Sequence, residues 1–278
     1  MKITVAARTD PGKVRELNED TIYTQCFNTS DGTPQALMVV CDGMGGHLGG
    51  ELASRWAVEA VKTELMDLFA PPNARNTVRL TEAEISAALQ PGEGKPTTML
   101  PSSDLRRRVE EAVIKANQVV YNYAKSKPAE AADAGTTLTL AVVSGDTAII
   151  ANVGDSRAYL MREDDLKQVT QDHSLVASLV AAGQIKPEEI FTHPQRNIIF
   201  RSLGLKQEVR PDIFEESLQP GDALMLCSDG LWEMIPNTRH IVKTIKHNNP
   251  EDACDKLVVS ANAGGGDDNI SVILAKFD

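Results

Sequence analysis

Several apolar, strand-like runs of this chain end or begin at an aspartate, and this pattern limits the folds that the chain can adopt. Asp42 follows ALMVVC and Asp229 follows ALMLCS, each of them directly before a glycine. Asp155 follows IIANVG, and Asp268 stands just before the last run. A single Asp-Gly pair is usually an ordinary turn, whereas two pairs that end such similar runs are a stronger signal. The pattern predicts a fold that collects these strand ends at one site.

Carboxylates that converge repel one another and are costly to bury without partners, so such a site needs cations. Glu19 and Asp20 stand just before another strand-like run and enlarge the set. A ligand set made only of oxygen atoms selects hard ions such as Mg²⁺ or Mn²⁺ over zinc. The four cysteines occur singly and never as C-x-x-C, which argues against a zinc knuckle or a redox pair. The acids therefore predict a divalent metal centre.

The glycine-rich stretch DGMGGHLGG, residues 42–50, offers a second interpretation as a loop that cradles a phosphate. It departs from G-x-G-x-x-G because Leu48 stands at the position of the third glycine, and Asp42 would place a negative charge beside the phosphate. The two Gly-Lys pairs are followed by Val14 and Pro96, so no P-loop is present. No cysteine has an arginine six residues further on, as a cysteine-dependent phosphatase needs. The metal interpretation is therefore favoured.

Strand-like and helix-like segments occur in separate blocks, which favours the α+β class over a doubly wound parallel sheet. Residues 137–170 predict a meander of strands that pair antiparallel, and further strands are predicted over 36–41, 223–227 and 269–276. Apolar residues at helical spacing predict helices over 51–69, 102–124, 240–249 and 250–263. Residues 71–101 hold five prolines and predict a surface excursion.

The formal net charge of -11 argues against a nucleic acid or an anionic membrane as partner, because binders of either show a basic patch. The N-terminus lacks the apolar core, roughly 7 to 15 residues long, of a signal peptide, and no apolar run reaches the roughly 18 residues of a transmembrane helix. With 278 residues, 42% of them hydrophobic, the chain can bury a sizeable core. We expect a soluble protein of the cytoplasm.

Seven short motifs occur along the chain in a fixed order. They are RELNED (15–20), DGMGGH (42–47), GTT (135–137), VGDSR (153–157), DH (172–173), SDGLW (228–232) and GGDDN (265–269). In these motifs the chain resembles the metal-dependent protein phosphatases, the protein phosphatase 2C family, and in particular their compact bacterial form. The motifs span nearly the whole chain, and residues 174–203 resemble the flap segment of the bacterial members.

The resemblance implies a β-sandwich of two antiparallel sheets flanked by pairs of antiparallel helices, a four-layer arrangement with a metal cleft at one end. It implies a single catalytic domain over residues 1–278. The implied activity is that of a protein serine/threonine phosphatase that depends on Mn²⁺ or Mg²⁺. Hydrolysis would proceed by in-line attack of a hydroxide that bridges two metal ions.

A set of oxygen ligands for two ions, and for a weaker third, is also implied by the resemblance. In that set Asp42 bridges the first two ions, and Asp229 contributes to the second and to the third. The remaining ligands are Glu19 and the carbonyl oxygen of Gly43 for the first ion, Asp268 for the second and Asp155 for the third.

Further residues have roles in catalysis by the same resemblance. Asp20 would orient a metal-bound water, and Arg15 would bind the substrate phosphate, because a planar guanidinium holds two phosphate oxygens at once. Many eukaryotic members carry a histidine directly after the Asp-Gly pair, where this chain has Met44. His47 stands three residues beyond Met44, as in bacterial relatives. Either His47 or a metal-bound water would protonate the leaving alkoxide.

The implied substrates are phosphorylated proteins, the targets of a bacterial serine/threonine kinase, and we expect a monomer. Two alternatives stay open: a pseudophosphatase that keeps the fold as a binding module, and an enzyme of the same mechanism that acts on small phosphate esters or on one dedicated phosphoprotein. His173 and His193 are predicted to be structural or flap residues. The GTT motif is predicted to serve tight packing or a turn.

Overall fold

The structure is a computed structural model that describes residues 1–28, 33–45, 48–69, 101–126 and 134–278. The predicted surface excursion over 71–101 lies outside the described residues, except for its last residue. None of the helices in the described part of the chain is long and apolar enough to cross a membrane.

Two antiparallel sheets contain the strands, as the resemblance implied. The strands are β1 (Ile3–Asp10), β2 (Asp20–Asn28), β3 (Pro34–Met44), β4 (Gly135–Thr136), β5 (Leu138–Ser144), β6 (Thr147–Val153), β7 (Arg157–Arg162), β8 (Asp165–Gln168), β9 (Asp212–Ser217), β10 (Ala223–Cys227) and β11 (Ile270–Phe277). The first sheet has the order β1-β11-β10-β7-β8, and the second has the order β2-β3-β5-β6-β9, with β4 paired to β3.

The helices lie outside the sheets. They are α1 (Leu48–Leu65), α2 (Ser102–Ser126), α3 (Leu175–Ala181), α4 (Asp229–Trp232), α5 (Thr238–His247) and α6 (Pro250–Gly264), with short 3₁₀ turns at Met66–Leu68 and Pro187–Thr192. The predicted start of α6 at Pro250 is confirmed, and the Asn249 side chain caps the helix by accepting a hydrogen bond from the backbone N–H of Asp252 at 2.9 Å.

Strand alternation explains why the chain forms four layers. In β3, Met38 and Val40 point into the interior between the sheets, where they pack with residues of the other sheet such as Leu226 and Ile273. The intervening residues Leu37, Val39 and Cys41 point to the other face and pack with α1 and α2. On the outer face of the first sheet, Met225 and Val272 pack against α5 and α6 in the same way. The predicted α+β sandwich is confirmed.

One part of the predicted strand pairing is wrong. The segment 137–170 is not one continuous meander, because β6 belongs to the second sheet and β7 to the first. The chain crosses between the sheets at Gly154, which has a φ of 114°. A Cβ atom there would lie 2.6 Å from Cγ2 of Thr137, so both the conformation and the space require glycine. A turn into another sheet has the same local pattern as a hairpin, which is why periodicity did not reveal the crossing.

Candidate metal centre

The predicted acids come together at one end of the sandwich. Asp20 opens β2 and lies directly opposite Asp42 in the antiparallel pairing of β2 with β3. Asp229 opens α4 two residues after the end of β10, and Asp268 stands two residues before β11, the neighbour of β10 in the first sheet. Asp155 lies in the crossing from β6 to β7. Both sheets therefore deliver carboxylates to one cleft.

Mutual repulsion and burial dominate the electrostatics of this cleft. Desolvation raises the pKa of Asp42 well above its ordinary value, and the negative charges of its neighbours add to the effect, in the order Asp20, Asp229, Asp155 and Asp268. Desolvation, followed mainly by the charges of Asp155 and Asp268, likewise raises the pKa of Asp229 well above its ordinary value. These carboxylates are close enough to oppose one another's ionisation.

The remaining acids show the same effect in milder form. Burial raises the pKa of Asp20 to about 7, and it raises the pKa of Asp155 to about 7 as well. The pKa of Glu19 is also raised, again chiefly by desolvation. Ordinary stabilising carboxylates have lowered pKa values, because a cation or several N–H donors face them. This group has the opposite character and is stable as a set of anions only with added positive charge.

Unpartnered oxygen atoms show that these residues suit a hard divalent ion. Oε1 of Glu19, Oδ1 of Asp20 and Oδ1 of Asp229 are buried and accept no hydrogen bond. Buried carboxylate oxygens without partners are costly, and they are the donors that Mg²⁺ and Mn²⁺ prefer. Among the described residues, no three His, Cys, Asp or Glu side chains surround a common point as a closed ligand shell. The fit therefore lies in the donor chemistry and the charge of the cleft.

The GTT motif holds the backbone of Asp42 in place, a role that the prediction of tight packing missed. The backbone N–H of Asp42 donates to Oγ1 of Thr137 at 3.0 Å. In return, the backbone N–H of Thr137 donates to the carbonyl oxygen of Asp42 at 2.8 Å, and Oγ1 of Thr136 donates to the same oxygen at 2.9 Å. Oγ1 of Thr137 also lies 2.8 Å from Oγ of Ser156, next to Asp155. Thr137 therefore bonds both to the backbone of Asp42 and to Ser156, the residue that follows Asp155.

Ser228 and Asn269 position two further acids and were also missed. Oγ of Ser228 donates to Oδ2 of Asp20 at 2.8 Å and accepts a hydrogen bond from the backbone N–H of Ser271 at 2.9 Å. Oδ1 of Asn269 accepts a hydrogen bond from the backbone N–H of Glu19 at 2.8 Å. Both residues stand beside an acid within the motifs SDGLW and GGDDN, and this adjacency was the available sequence signal.

Two glycines allow a close backbone approach between α1 and the acids. A Cβ atom on Gly43 would lie 2.2 Å from the carbonyl oxygen of Gly50 and 2.6 Å from that of Glu19. A Cβ atom on Gly50 would lie 2.5 Å from Oε1 of Glu19. The backbone N–H of Gly43 donates to the carbonyl oxygen of Glu19 at 3.2 Å. The glycines therefore serve contact between backbones.

The change Gly50→Ala is expected to weaken Mn²⁺ binding about tenfold, because the added methyl group must displace the Glu19 carboxylate or the backbone of Gly43. Isothermal titration calorimetry with Mn²⁺ measures the effect. Gly221→Ala is the control, since its Cβ atom meets nothing within 4 Å and its φ of 95° makes the same substitution strained. We expect this control to lose thermal stability and to keep its Mn²⁺ affinity. Equal affinity in both variants would contradict the prediction.

Arg15 lies at the cleft and contacts a predicted metal ligand. Its Nη2 atom is 2.7 Å from Oδ2 of Asp268, and about half of its side chain is exposed. The predicted general acid, His47, lies outside the described residues. Met44, the residue after the Asp-Gly pair, ends β3 and is partly buried.

The predicted flap contacts the residues that surround Asp155. The indole N–H of Trp232 donates to the carbonyl oxygen of Asp155 at 3.1 Å, and the ring of Phe191 meets the Trp232 ring edge-on with 6.1 Å between centroids. Nε of Arg196 lies 3.2 Å from Oε2 of Glu233. The flap segment and α4 are therefore in direct contact beside the acidic cleft.

His173 is a structural residue, as predicted. Its Nδ1 atom accepts a hydrogen bond from the backbone N–H of Gly154 at 3.0 Å, and its Nε2 atom lies 3.1 Å from Oδ2 of Asp212. His193 follows the second 3₁₀ turn, and its Nδ1 atom accepts a hydrogen bond from the backbone N–H of Gln195.

The comparisons with known proteins agree over almost the whole chain. Residues 13–258 match the family model of protein phosphatase 2C. The serine/threonine phosphatase stp of Listeria monocytogenes is 37% identical over 273 residues, which are 98% of this chain and 94% of that protein. The crystal structure of the phosphatase Stp1 from Staphylococcus aureus is 34% identical, with a TM-score of 0.79 over 100% of this chain and 96% of that chain. The catalytic domain of the phosphatase PstP, in complex with two manganese ions, is 30% identical, with a TM-score of 0.76 over 99% of each chain.

Proposed function

This chain belongs to the protein phosphatase 2C family and is a metal-dependent serine/threonine phosphatase, and from that premise we propose how its acidic cleft acts. One observation carries the proposal: buried carboxylate oxygens of Glu19, Asp20 and Asp229 have no hydrogen-bond partner in a cleft where carboxylates oppose one another's ionisation. The proposed ligands of two Mn²⁺ or Mg²⁺ ions, and of a third, weaker ion, are Glu19, Asp42, the carbonyl oxygen of Gly43, Asp155, Asp229 and Asp268.

Bound divalent ions would supply the Lewis acidity that lowers the pKa of an attacking water and neutralises the charge of the phosphate. The protein supplies orientation. Asp20 is held through Oδ2 by the hydroxyl group of Ser228, which leaves Oδ1 free to accept a hydrogen bond from that water. Because Thr136 and Thr137 fix the backbone of Asp42 on both sides, its carboxylate enters the cleft in a defined position.

Arg15 is the proposed phosphate-binding residue. Its guanidinium group is half exposed at the mouth of the cleft and is already directed at an anion, the carboxylate of Asp268. An arginine can hold two oxygens of a phosphate monoester at once, which positions the phosphorus atom for in-line attack. The proposed general acid is His47, with a water as the alternative donor, and this assignment is supported by the resemblance alone.

The substrates and the cellular setting are proposed from the relatives. We infer that the chain acts as one catalytic domain and a monomer on phosphoserine and phosphothreonine residues of proteins in the cytoplasm, where it opposes a bacterial serine/threonine kinase. The support is that the matched relatives are named serine/threonine phosphatases and that this chain covers 94% of the length of the Listeria phosphatase.

Hydrolysis of a phosphothreonine peptide tests the proposed function. We expect phosphate release with Mn²⁺, none with excess EDTA, and recovery when Mn²⁺ is restored. The same peptide with phosphotyrosine, together with p-nitrophenyl phosphate, distinguishes a protein serine/threonine phosphatase from an enzyme for small esters, and we expect a lower kcat/KM for both. Release that EDTA leaves unchanged would contradict the metal mechanism. Binding of Mn²⁺ without any release would identify a pseudophosphatase.

A further inference from the structure

A groove lies between the end of the first sheet and helix α5, away from the acidic cleft. It has a volume of about 440 Å³. Leu166 of β8 and Val242 of α5 line it and pack against the outer core of this sheet, so its floor is apolar. Strand β7 begins at Arg157, close to the cleft, and ends at Arg162, so the β7–β8 turn that borders the groove lies at the opposite end of the strand. We call this feature the β8–α5 groove.

One wall of the groove is a row of cations on α5. Arg239, Lys243 and Lys246 line it at helical spacing, and the helix contains no Asp or Glu between Thr238 and His247. Lys246 is paired with Asp164 at 2.6 Å. The side chains of Arg239 and Lys243 are exposed and have no ion-pair partner among the residues that the structure describes. In a chain with a net charge of -11, two adjacent cations without counter-charges attract an anionic ligand.

The acids on the other side of the groove do not cancel this attraction. Asp164 is already neutralised by Lys246. Asp165 alternates with Leu166 along β8, so its side chain shares a face with that of Lys167, which pairs with Glu216 of the second sheet at 2.7 Å. That face is opposite to the one on which Leu166 meets the outer core. Asp164 and Asp165 both line the groove, but the three cations Arg239, Lys243 and Lys246 outnumber them, so the lining keeps an excess of positive charge on its α5 side.

The strand that borders the groove is also open to pairing. β8 is the last strand of its sheet and pairs only with β7 among the described residues. Arg162 lies opposite Asp165 across a two-residue turn, and these two residues form a hydrogen-bonded pair. Hydrogen-bonded and non-hydrogen-bonded pairs alternate along an antiparallel ladder. The backbone N–H and C=O groups of Leu166 and Gln168 therefore point away from β7. An unpaired edge of this kind can accept an additional strand from another chain.

From these observations we propose that the β8–α5 groove binds an extended acidic segment of a partner protein, which adds to β8 as a further strand. Alternate side chains of such a segment point to one face, so acidic residues at every second position meet Arg239 and Lys243 while the backbone pairs with Leu166 and Gln168. Carboxylate and phosphate groups would both satisfy these cations. The inference goes beyond the proposed function, because binding at this groove requires no hydrolysis.

Fluorescence anisotropy with a labelled ten-residue peptide of alternating Glu and Thr tests the proposal. In the matched control peptide every Glu is replaced by Gln. A third peptide has Gln in place of Glu and phosphothreonine in place of Thr, and it is measured with EDTA present. The three peptides separate binding of carboxylate groups from binding of phosphate groups. We expect the Glu peptide to bind at least about tenfold more tightly than the Gln peptide at low salt. Equal binding of the Glu and Gln peptides would overturn the proposal, even if the phosphopeptide binds more tightly than both.

The double variant Arg239→Glu with Lys243→Glu is expected to weaken binding of the Glu peptide about tenfold. Arg106→Glu with Lys115→Glu is the control, because it reverses two exposed charges on α2 and makes the same change in net charge. Equal loss in both variants would indicate attraction by net charge only and would overturn the site.

Peptides that are N-methylated at alternate residues, in either register, test the strand pairing without changing the protein. We expect one register to bind about tenfold more weakly. Equal binding of both registers, or equally tight binding of phosphatidylglycerol vesicles, would overturn pairing with a protein strand.

Discussion

The change Asp42→Asn is expected to lower kcat/KM for a phosphothreonine peptide about a thousandfold or more at saturating Mn²⁺. Four neighbouring carboxylates add to the raised pKa of Asp42, and four add to that of Asp229, so both acids lie within the group. Asparagine has nearly the same shape and lacks the charge. The hydrogen bonds that hold residue 42 are made by its backbone to Thr136 and Thr137, so the substitution leaves this part of the fold intact.

Two further variants make this result specific. Asp229→Asn is expected to lose activity to a similar extent, because Asp229 carries an unpartnered oxygen in the same cleft. Asp222→Asn is the control. Asp222 stands just before β10, at the end of the strand opposite to Asp229, and the buried carboxylate of Asp222 forms an ion pair with Arg162 at 2.8 Å. We expect this control to lose stability and to keep its kcat. Activity of Asp42→Asn within threefold of the unchanged protein would contradict the metal-bridging role.

The position of the acids could be predicted because strand ends are visible in a sequence. An apolar run that stops at Asp-Gly lies near the end of a buried strand: Asp42 stands two residues before the end of β3, and Asp229 stands two residues after the end of β10. The resemblance then supplied the sandwich that joins the two ends. What the pattern lacked was the assignment of neighbouring strands to sheets, because Gly154 turns the chain from one sheet to the other without interrupting the apolar period.

The residues that hold the acids could not be predicted in the same way. Thr137 is 95 positions from Asp42 in the sequence, and Ser228 is 208 positions from Asp20. A hydroxyl group that bonds to a distant backbone or carboxylate leaves no periodic trace, since its partner is set by the pairing of elements far apart in the chain. Such residues become visible only when the fold is known, although their places inside the motifs indicated that they matter.

The stability of the EDTA-treated protein is expected to rise as the pH falls from about 7.5 to about 5.5. The folded pKa of Asp20 and of Asp155 is about 7, whereas an unfolded Asp titrates near its ordinary value of about 3.9. In this window the folded state therefore binds more protons than the unfolded state, so a rise in pH lowers the free energy of unfolding. Each of the two groups contributes about 2 kcal/mol over this range by the linkage relation.

Chemical denaturation in urea at several pH values measures this trend. Burial lowers the pKa of His173, so that residue opposes the trend below its unfolded pKa, but a single imidazole is outweighed by several carboxyls with raised pKa values. With saturating Mn²⁺ the slope should reverse, because metal ions bind the deprotonated acids and acid displaces them. Asp20→Asn should make the pH dependence of the metal-free protein shallower, because it removes one carboxyl whose pKa is raised in the folded state. If the unfolding free energy of the metal-free protein instead falls as the pH is lowered across this window, the carboxylates do not repel one another. The physical reason for placing cations in the cleft would then be lost.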